Sequence, residues 1–271
     1  MKYLVLLLLI PWQLFSQEKP LTLVETFESP VDISYWTIDA QGNLLLSSGN
    51  NVLKKAIQGD RKFNQTFKSL SDIQSIAPIN AMKILLFSEL QQSVAIVDNT
   101  LTQQGELLDL SELGFSNVSH ICVSNRPNLI WVFDQFRSNL CLVDFNQQKI
   151  VQQVQNSLQD ESGIVQMLEY HDQLYVLFQS GTVKCYDFLL NYVETYELPK
   201  SEQIQIRNNT FYLLKTGKVE TRTFRHAQAP PYWSIPNNEQ ISSFYLNSDY
   251  LGIQKGRTLF IYTINKSNKI E

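Results

Sequence analysis

Six polar side chains recur at one fixed spacing in this chain of 271 residues. Each lies five residues before a polar residue at a predicted turn, and the turn positions are Asp39, Asn80, Asn125, His171, Asn208 and Asn247. The recurring residues are Ser34, Ser75, His120, Gln166, Gln203 and Ser242. They offer hydroxyl, amide and imidazole groups but no carboxylate. Hard cations require several oxygen ligands with carboxylates among them, and zinc requires three or four converging His, Cys or acidic ligands. We therefore expect no metal at this set.

Other candidates for acid–base or nucleophilic chemistry are few. Of the three His, His171 is expected to stabilise its turn, His226 to lie in a loop, and His120 to stand alone in the recurring set. Apolar or β-branched neighbours predict buried, unreactive thiols for Cys122, Cys141 and Cys185. The chain contains no GxSxG, no glycine-rich phosphate loop and no CxxC. The sequence thus predicts no catalytic residue and no cofactor.

The elements that must position these residues are short strands. Runs such as SVAIVD, LIWVFD and QLYVLFQ are bounded by Asn, Asp, Gly and Ser, and helical periodicity is nearly absent. This pattern is typical of an all-β chain of antiparallel strands.

The strands recur in a fixed order. The turn residues follow one another at intervals of 41, 45, 46, 37 and 39 residues. Each turn joins a first strand to an apolar second strand, and a third strand follows a tight turn. A fourth strand follows in the first five units, as in KFNQTFKSL, GELLDLSEL, IVQQVQNSL, VETYELP and YWSIP, but the sixth unit lacks one.

The missing strand is predicted near the N-terminus. VETFESP at residues 24–30 resembles VETYELP at residues 193–199, in the fourth strand of unit four. The two stretches lie 169 residues apart, which is four repeats of about 42 residues. We therefore expect the strand at residues 21–30 to complete unit six and to close a ring.

Six four-stranded units of this length resemble a six-bladed β-propeller with NHL-type-like blades. The resemblance covers residues 21–264 and implies one propeller domain within residues 17–271. A β-sandwich and a ring of five or seven blades are the alternatives. The resemblance also implies that first strands line a central channel, so the six recurring residues become channel-lining candidates. Lactonase-like six-bladed hydrolases hold a divalent cation there with carboxylates and Asn, which this set does not supply.

The longest predicted loops fall in units two to four and contain aromatic, acidic and Arg residues. Such residues on loops of a rigid scaffold are frequent anchors of protein interfaces. The partner-binding candidates are Phe115, Asp134, Phe136, Arg137, Asp160 and Glu161.

The first 16 residues have the layout of a secretory signal peptide. Lys2 precedes a short apolar run, and Ser16 lies at a plausible cleavage point. Abundant Gln and Asn resemble exported proteins of Bacteroidetes-type bacteria, which implies the periplasm or, alternatively, the extracellular space. The formal net charge of −4 argues against nucleic acid as a partner.

Three functions remain open from the sequence. The leading hypothesis is a monomeric, exported, non-catalytic platform that binds a protein, a small molecule or a glycan. The alternatives are a hydrolase or lyase that acts on an ester or carbohydrate in the channel, and a small-molecule sensor.

Overall fold

The computed structural model describes residues 21–155, 163–224, 235–236 and 238–264. These residues form strands and no helix, so no helix of membrane-spanning length and hydropathy occurs among them. The first twelve strands are β1 (Leu21–Glu28), β2 (Tyr35–Ile38), β3 (Asn43–Ser48), β4 (Asn51–Ala56), β5 (Lys62–Thr66), β6 (Ser75–Pro78), β7 (Lys83–Ser88), β8 (Ser93–Asp98), β9 (Leu108–Asp109), β10 (Val118–Val123), β11 (Leu129–Asp134) and β12 (Asn139–Asp144). The others are β13 (Lys149–Val154), β14 (Ile164–Tyr170), β15 (Gln173–Phe178), β16 (Thr182–Tyr186), β17 (Tyr192–Glu197), β18 (Gln203–Arg207), β19 (Thr210–Lys215), β20 (Lys218–Thr223), β21 (Ser243–Leu246), β22 (Tyr250–Lys255) and β23 (Thr258–Ile264).

Hydrogen bonds group the strands into six antiparallel sheets, which we number as blades in chain order. Blades 1 to 4 contain β2–β5, β6–β9, β10–β13 and β14–β17, and blade 5 contains β18–β20. Blade 6 has the order β21-β22-β23-β1, so the N-terminal strand is the outermost strand of the last blade. The predicted six-bladed propeller and its closure are confirmed.

The closure is a long antiparallel pairing. The β1–β23 ladder runs from Leu21 opposite Ile264 to Glu28 opposite Thr258, with one irregularity between Leu23 and Glu25. This pairing joins the N-terminal strand to the last blade without a covalent link. The outer edge of β23 is therefore paired and not exposed.

Apolar packing lies between the blades. Each of the six blade interfaces contains one hydrophobic cluster. The second strands β3, β7, β11, β15 and β19 each have five consecutive buried residues. Continuous burial replaces alternation because both faces of these strands pack against neighbouring blades.

Two predicted fourth strands differ or fall outside the described residues. In blade 2 the run GELLDLSEL contributes only β9, because the chain first bridges Gln103 to Val97 and reaches the ladder late. In blade 5 the predicted strand at residues 232–236 lies outside the described residues except for Ile235 and Pro236. The predicted signal peptide and His226 also lie outside them.

The polar residues between first and second strands close tight turns. The Asp39 carboxylate accepts the backbone N–H groups of Gln41 and Asn43, each at 2.9 Å. His171 and Asn208 instead adopt φ values of 48°, in the left-handed region. Either feature, a side chain that accepts backbone N–H groups or a residue with positive φ, stabilises a tight turn between the two strands.

Candidate functional site

A cavity of about 600 Å³ lies where the first strands of all six blades converge. All six recurring polar residues contribute to its wall: Ser34, Ser75, His120, Gln166, Gln203 and Ser242. The structure thus brings these residues together around one channel. Whether they bind a ligand stays a prediction.

The wall also includes residues that directly follow a recurring polar residue in the sequence. Strict alternation along a strand would point their side chains away from the channel. Tyr35, Ile121 and Ser243 all contribute to the cavity. One cause is visible in blade 3, where the β10–β11 register shifts between Val118 and His120. Such a bulge re-aims side chains. Ser119 and His120 consequently both line the cavity.

The channel amides bind the backbone of the neighbouring blade. The Gln203 amide donates to the Phe244 carbonyl at 2.8 Å and accepts the Phe244 N–H at 3.0 Å. Gln166 Oε1 in turn accepts the N–H of Ile204 at 2.8 Å. First strands have a ladder on one side only, so these side chains pair backbone groups on the other side.

His120 makes the corresponding contact between blades 3 and 4. The Ser119 hydroxyl lies 2.9 Å from His120 Nδ1, and the ring also hydrogen-bonds to the backbone of Val165. Burial lowers the pKa of His120 below its usual value of 6.5, and the Val165 contact opposes this effect only in part. The imidazole is therefore neutral at neutral pH.

Polar contacts also join the remaining blades. Trp36 Nε1 donates to Ser243 Oγ at 2.6 Å between blades 1 and 6. The Tyr35 hydroxyl hydrogen-bonds to Ser75 between blades 1 and 2. Tyr35 as a whole keeps 37% of its surface accessible, but desolvation of its hydroxyl, followed by the nearby Tyr245, raises its pKa to about 12. Tyr35 therefore stays protonated and serves as a neutral hydroxyl.

Blades 2 and 3 are joined by a residue outside the recurring set. The Gln92 amide donates to the Val118 carbonyl at 2.9 Å and accepts its N–H at 2.6 Å. Every blade interface thus contains at least one polar contact in addition to its apolar cluster. We call this set the polar belt, and its side chains are Tyr35, Ser75, Gln92, His120, Gln166, Gln203, Ser243 and Trp36.

The cavity wall has little charge. Glu202 is the only carboxylate among the described wall residues, and its Oε1 accepts the N–H of Thr216 at 3.1 Å. Lys and Arg are absent from that wall. No group of three or more His, Cys, Asp and Glu in the described part of the chain could hold a metal ion. The wall can therefore exchange hydrogen bonds and apolar contacts with an uncharged ligand.

The cysteines are unreactive free thiols in different strands. Burial raises the pKa of Cys122 and Cys141 to about 12 and that of Cys185 to about 11. Thiols with such pKa values are poor nucleophiles at neutral pH.

The predicted partner-binding residues divide into three groups. The prediction that Phe115 and Asp134 are exposed is wrong, because these residues keep only 7% and 1% of their accessible surface. Phe115 packs in the cluster between blades 2 and 3. The Asp134 carboxylate accepts the N–H groups of Ser116 and Asn117, which precede β10, and that of Phe136 in its own turn. Phe136 and Arg137 are exposed. Asp160 and Glu161 lie outside the described residues.

The structure adds an exposed residue that the sequence reading missed. Leu90 keeps 78% of its surface accessible and Phe136 keeps 80%, the highest values of any large apolar side chain in the described ranges. Each is the second residue after a second strand, β7 or β11 respectively. The equivalent spacing of SELQQS and DQFRSN was the available signal.

Comparisons with known proteins show the fold only. No protein-family model matches the chain, and no curated protein matches it. A solved structure of PorZ, described as an essential bacterial surface component of the type-IX secretion system of Porphyromonas gingivalis, is 12% identical with a TM-score of 0.56. The match covers 90% of this chain and 33% of PorZ, so the chain spans about a third of that protein. BBS1N in complex with ARL6DN is 14% identical with a TM-score of 0.57, over 86% of this chain and 79% of BBS1N.

Proposed function

We propose that this chain is an exported, non-catalytic propeller that binds a protein partner through one face of the ring. Strands alternate in direction, so the loops after second strands and the loops between blades lie on the same face. We call it the loop face. The observation that carries the proposal is the pair Leu90 and Phe136, exposed at equivalent positions of adjacent blades on this face.

Both side chains are held on ordered turns. Gln92, in the turn of Leu90, has a φ of 51° and ties that turn to Val118 in blade 3. In the turn of Phe136, the Asp134 carboxylate accepts the N–H of Phe136 at 3.1 Å. A preorganised turn loses little further entropy on binding, which favours affinity.

The surroundings of the two side chains suit an interface. Arg137 lies beside Phe136, and its guanidinium donates to the Gly114 carbonyl at 2.7 Å. Glu89 and Gln135 precede Leu90 and Phe136 in their turns and are polar. Apolar anchors with a polar rim and an ordered Arg are characteristic of protein interfaces.

Two further considerations support the proposal. One solved structure of similar fold is BBS1N in complex with ARL6DN, and another is a bacterial surface component of a secretion system. At these identities they support only the suitability of the fold. The layout of residues 1–16 supports export to the periplasm, with the extracellular space as the alternative.

The test is a crosslinked affinity purification from the native host with three tagged baits. The baits are the mature wild type, the double variant L90S/F136S and the control Met82→Ser. Met82 is 60% exposed but follows the turn residue Asn80 on the opposite face. Any partner captured is then purified, and its affinity for each bait is measured by calorimetry.

We expect one partner to be captured by the wild type and by Met82→Ser but not by L90S/F136S. The double variant should weaken binding by at least about 30-fold, since two central apolar anchors are each worth about 1–2 kcal/mol or more. Equal affinity of the partner for all three baits contradicts the proposed face. Capture of no partner by any bait contradicts the platform itself.

A further inference from the structure

The central channel has features of a ligand site that the loop-face proposal does not use. Its cavity of about 600 Å³ lies within the range of small-molecule sites, which is about 300–1,000 Å³. First strands from six blades surround it, and the polar belt fixes their relative positions. A site with a rigid wall of this kind needs little reorganisation on binding.

The charge of the wall restricts the ligand. Glu202 is its single carboxylate among the described residues, and it lies on the loop that precedes β18 rather than within a strand. The neutral His120 and the protonated Tyr35 add no charge at neutral pH. An anionic ligand would lose hydration here without gaining a counter-charge, which is costly. A cationic ligand would find only Glu202, whose Oε1 already accepts the N–H of Thr216. The wall therefore favours an uncharged ligand.

The polar groups of the wall favour a ligand with many hydroxyl groups. Ser, Tyr and Gln side chains can each donate and accept, as a hydroxyl does. Ser34, Ser75 and Ser242 supply hydroxyls from three blades. A carboxamide presents a donor and an acceptor side by side, which matches two adjacent hydroxyl groups of a sugar ring.

Three wall glutamines keep amide groups for such a ligand. One is Gln74, whose Oε1 accepts the N–H of Glu89 and whose Nε2 has no hydrogen-bond partner among the described residues. Gln205 follows Gln203 on the same face of β18 and contributes to the cavity wall. Among the described residues its amide has no hydrogen-bond partner, and Gln166 Nε2 has none either, whereas Gln166 Oε1 holds Ile204. These groups differ from Gln203, whose donor and acceptor are both used by Phe244.

Aromatic rings occupy one side of the wall. Tyr35 of blade 1 and Tyr245 of blade 6 keep part of their surface accessible there, whereas Trp36 and Phe244 are buried. The Trp36 and Tyr245 rings are 6.5 Å apart in an edge-on arrangement. Aromatic rings provide apolar surface, against which the C–H face of a sugar ring can pack. From the size, charge, amides and rings together, we propose that the channel binds an uncharged saccharide of one or two rings.

The inference is tested by saturation-transfer NMR with cellobiose, maltose and N,N′-diacetylchitobiose as probes. Two charged analogues accompany them, cellobionate and the fully deacetylated chitobiose. The proteins are the mature wild type, Gln205→Ala, Gln205→Glu and the control Gln65→Ala, in which an exposed glutamine of β5 is removed. Thermal unfolding of each variant verifies that the fold is retained.

We expect saturation transfer from at least one neutral disaccharide and at least about 10-fold weaker binding of its charged analogue. Gln205→Ala should weaken the neutral probe by about 10-fold, the equivalent of about 1.4 kcal/mol. Gln205→Glu should weaken it as well, and Gln65→Ala should bind like the wild type. The proposal is overturned if no neutral probe binds, if charged analogues bind equally, or if Gln205→Ala binds as the wild type does. None of these results depends on the partner proposed for the loop face.

Discussion

The His120 imidazole is enclosed between blades 3 and 4, with the Ser119 hydroxyl at one ring nitrogen and Val165 as a second partner. Its protonated form would lie in a partly buried position with no carboxylate of the described residues beside it. Burial therefore holds the pKa below 6.5. The residue contributes to the polar belt as a neutral group.

This shift predicts a dependence of stability on pH. Above pH 6.5 both the folded and the unfolded states hold a neutral imidazole. As pH falls below 6.5 the unfolded chain takes up a proton that the folded state resists, so the folded state loses stability down to its own lower pKa. The free energy of unfolding of the wild type should therefore fall more steeply with acidification than that of His120→Gln.

Urea unfolding at a series of pH values measures this slope. The control is His171→Asn, which removes an exposed imidazole from a turn where other blades have Asn. It should keep the steep acid loss of the wild type. Equal slopes for the wild type and His120→Gln would show that His120 takes up its proton equally in both states.

At the level of elements, the polar belt explains four of the six recurring polar residues, namely Ser75, His120, Gln166 and Gln203. A first strand is hydrogen-bonded to its own blade on one side, and its other edge faces the channel. Gln166 and Gln203 satisfy backbone groups at that edge in the next blade. Leaving such groups unpaired costs about 1–3 kcal/mol each.

Two glutamines of β18 provide a matched comparison at this scale. Gln203→Ala removes both hydrogen bonds to Phe244 and should lower the free energy of unfolding by about 2–6 kcal/mol, which is about 1–3 kcal/mol for each backbone group left unpaired. Gln205→Ala, two residues along the same strand face, should change it by less than about 0.5 kcal/mol. Urea unfolding of both variants measures the difference. Equal losses would place the stabilisation in the strand itself and not in the contact between blades.

At the level of the whole molecule, ring closure depends on β1. β1 forms a ladder with β23. Its side chains Val24 and Phe27 also pack against the hydrophobic cluster between blades 6 and 1. In the same interface Trp36 donates to Ser243. A ring without β1 would expose the outer edge of β23 and part of this cluster.

Strand complementation tests this dependence. A chain that lacks residues 1–30 should unfold at a lower temperature than the chain of residues 17–271, or aggregate. A synthetic peptide of residues 21–30 should raise its melting temperature with increasing peptide concentration, because the peptide binds the folded form only. A scrambled peptide of the same composition is the control. A truncated chain as stable as the chain of residues 17–271, or insensitive to the peptide, would contradict closure by β1.

The sequence by itself determined the all-β class, the six-fold repeat and the strand that closes it, because turn residues and alternating runs are local signals. The sequence also identified the six recurring polar residues, since a side chain that faces a water-filled channel is usually polar. Which atoms those side chains contact depended on the ring. Gln203 meets Phe244, 41 residues away, only when blades 5 and 6 pack side by side.

Burial at the loops was likewise decided by the tertiary structure. Phe115 and Phe136 both belong to loops rich in polar residues, yet Phe115 fills the cluster between two blades and Phe136 projects outwards. Leu90 has a spacing equivalent to that of Phe136 in the sequence, but its exposure of 78% was given only by the tertiary structure. The local sequence indicates where the chain turns. The exposure of a side chain depends instead on residues from distant parts of the chain that pack over it.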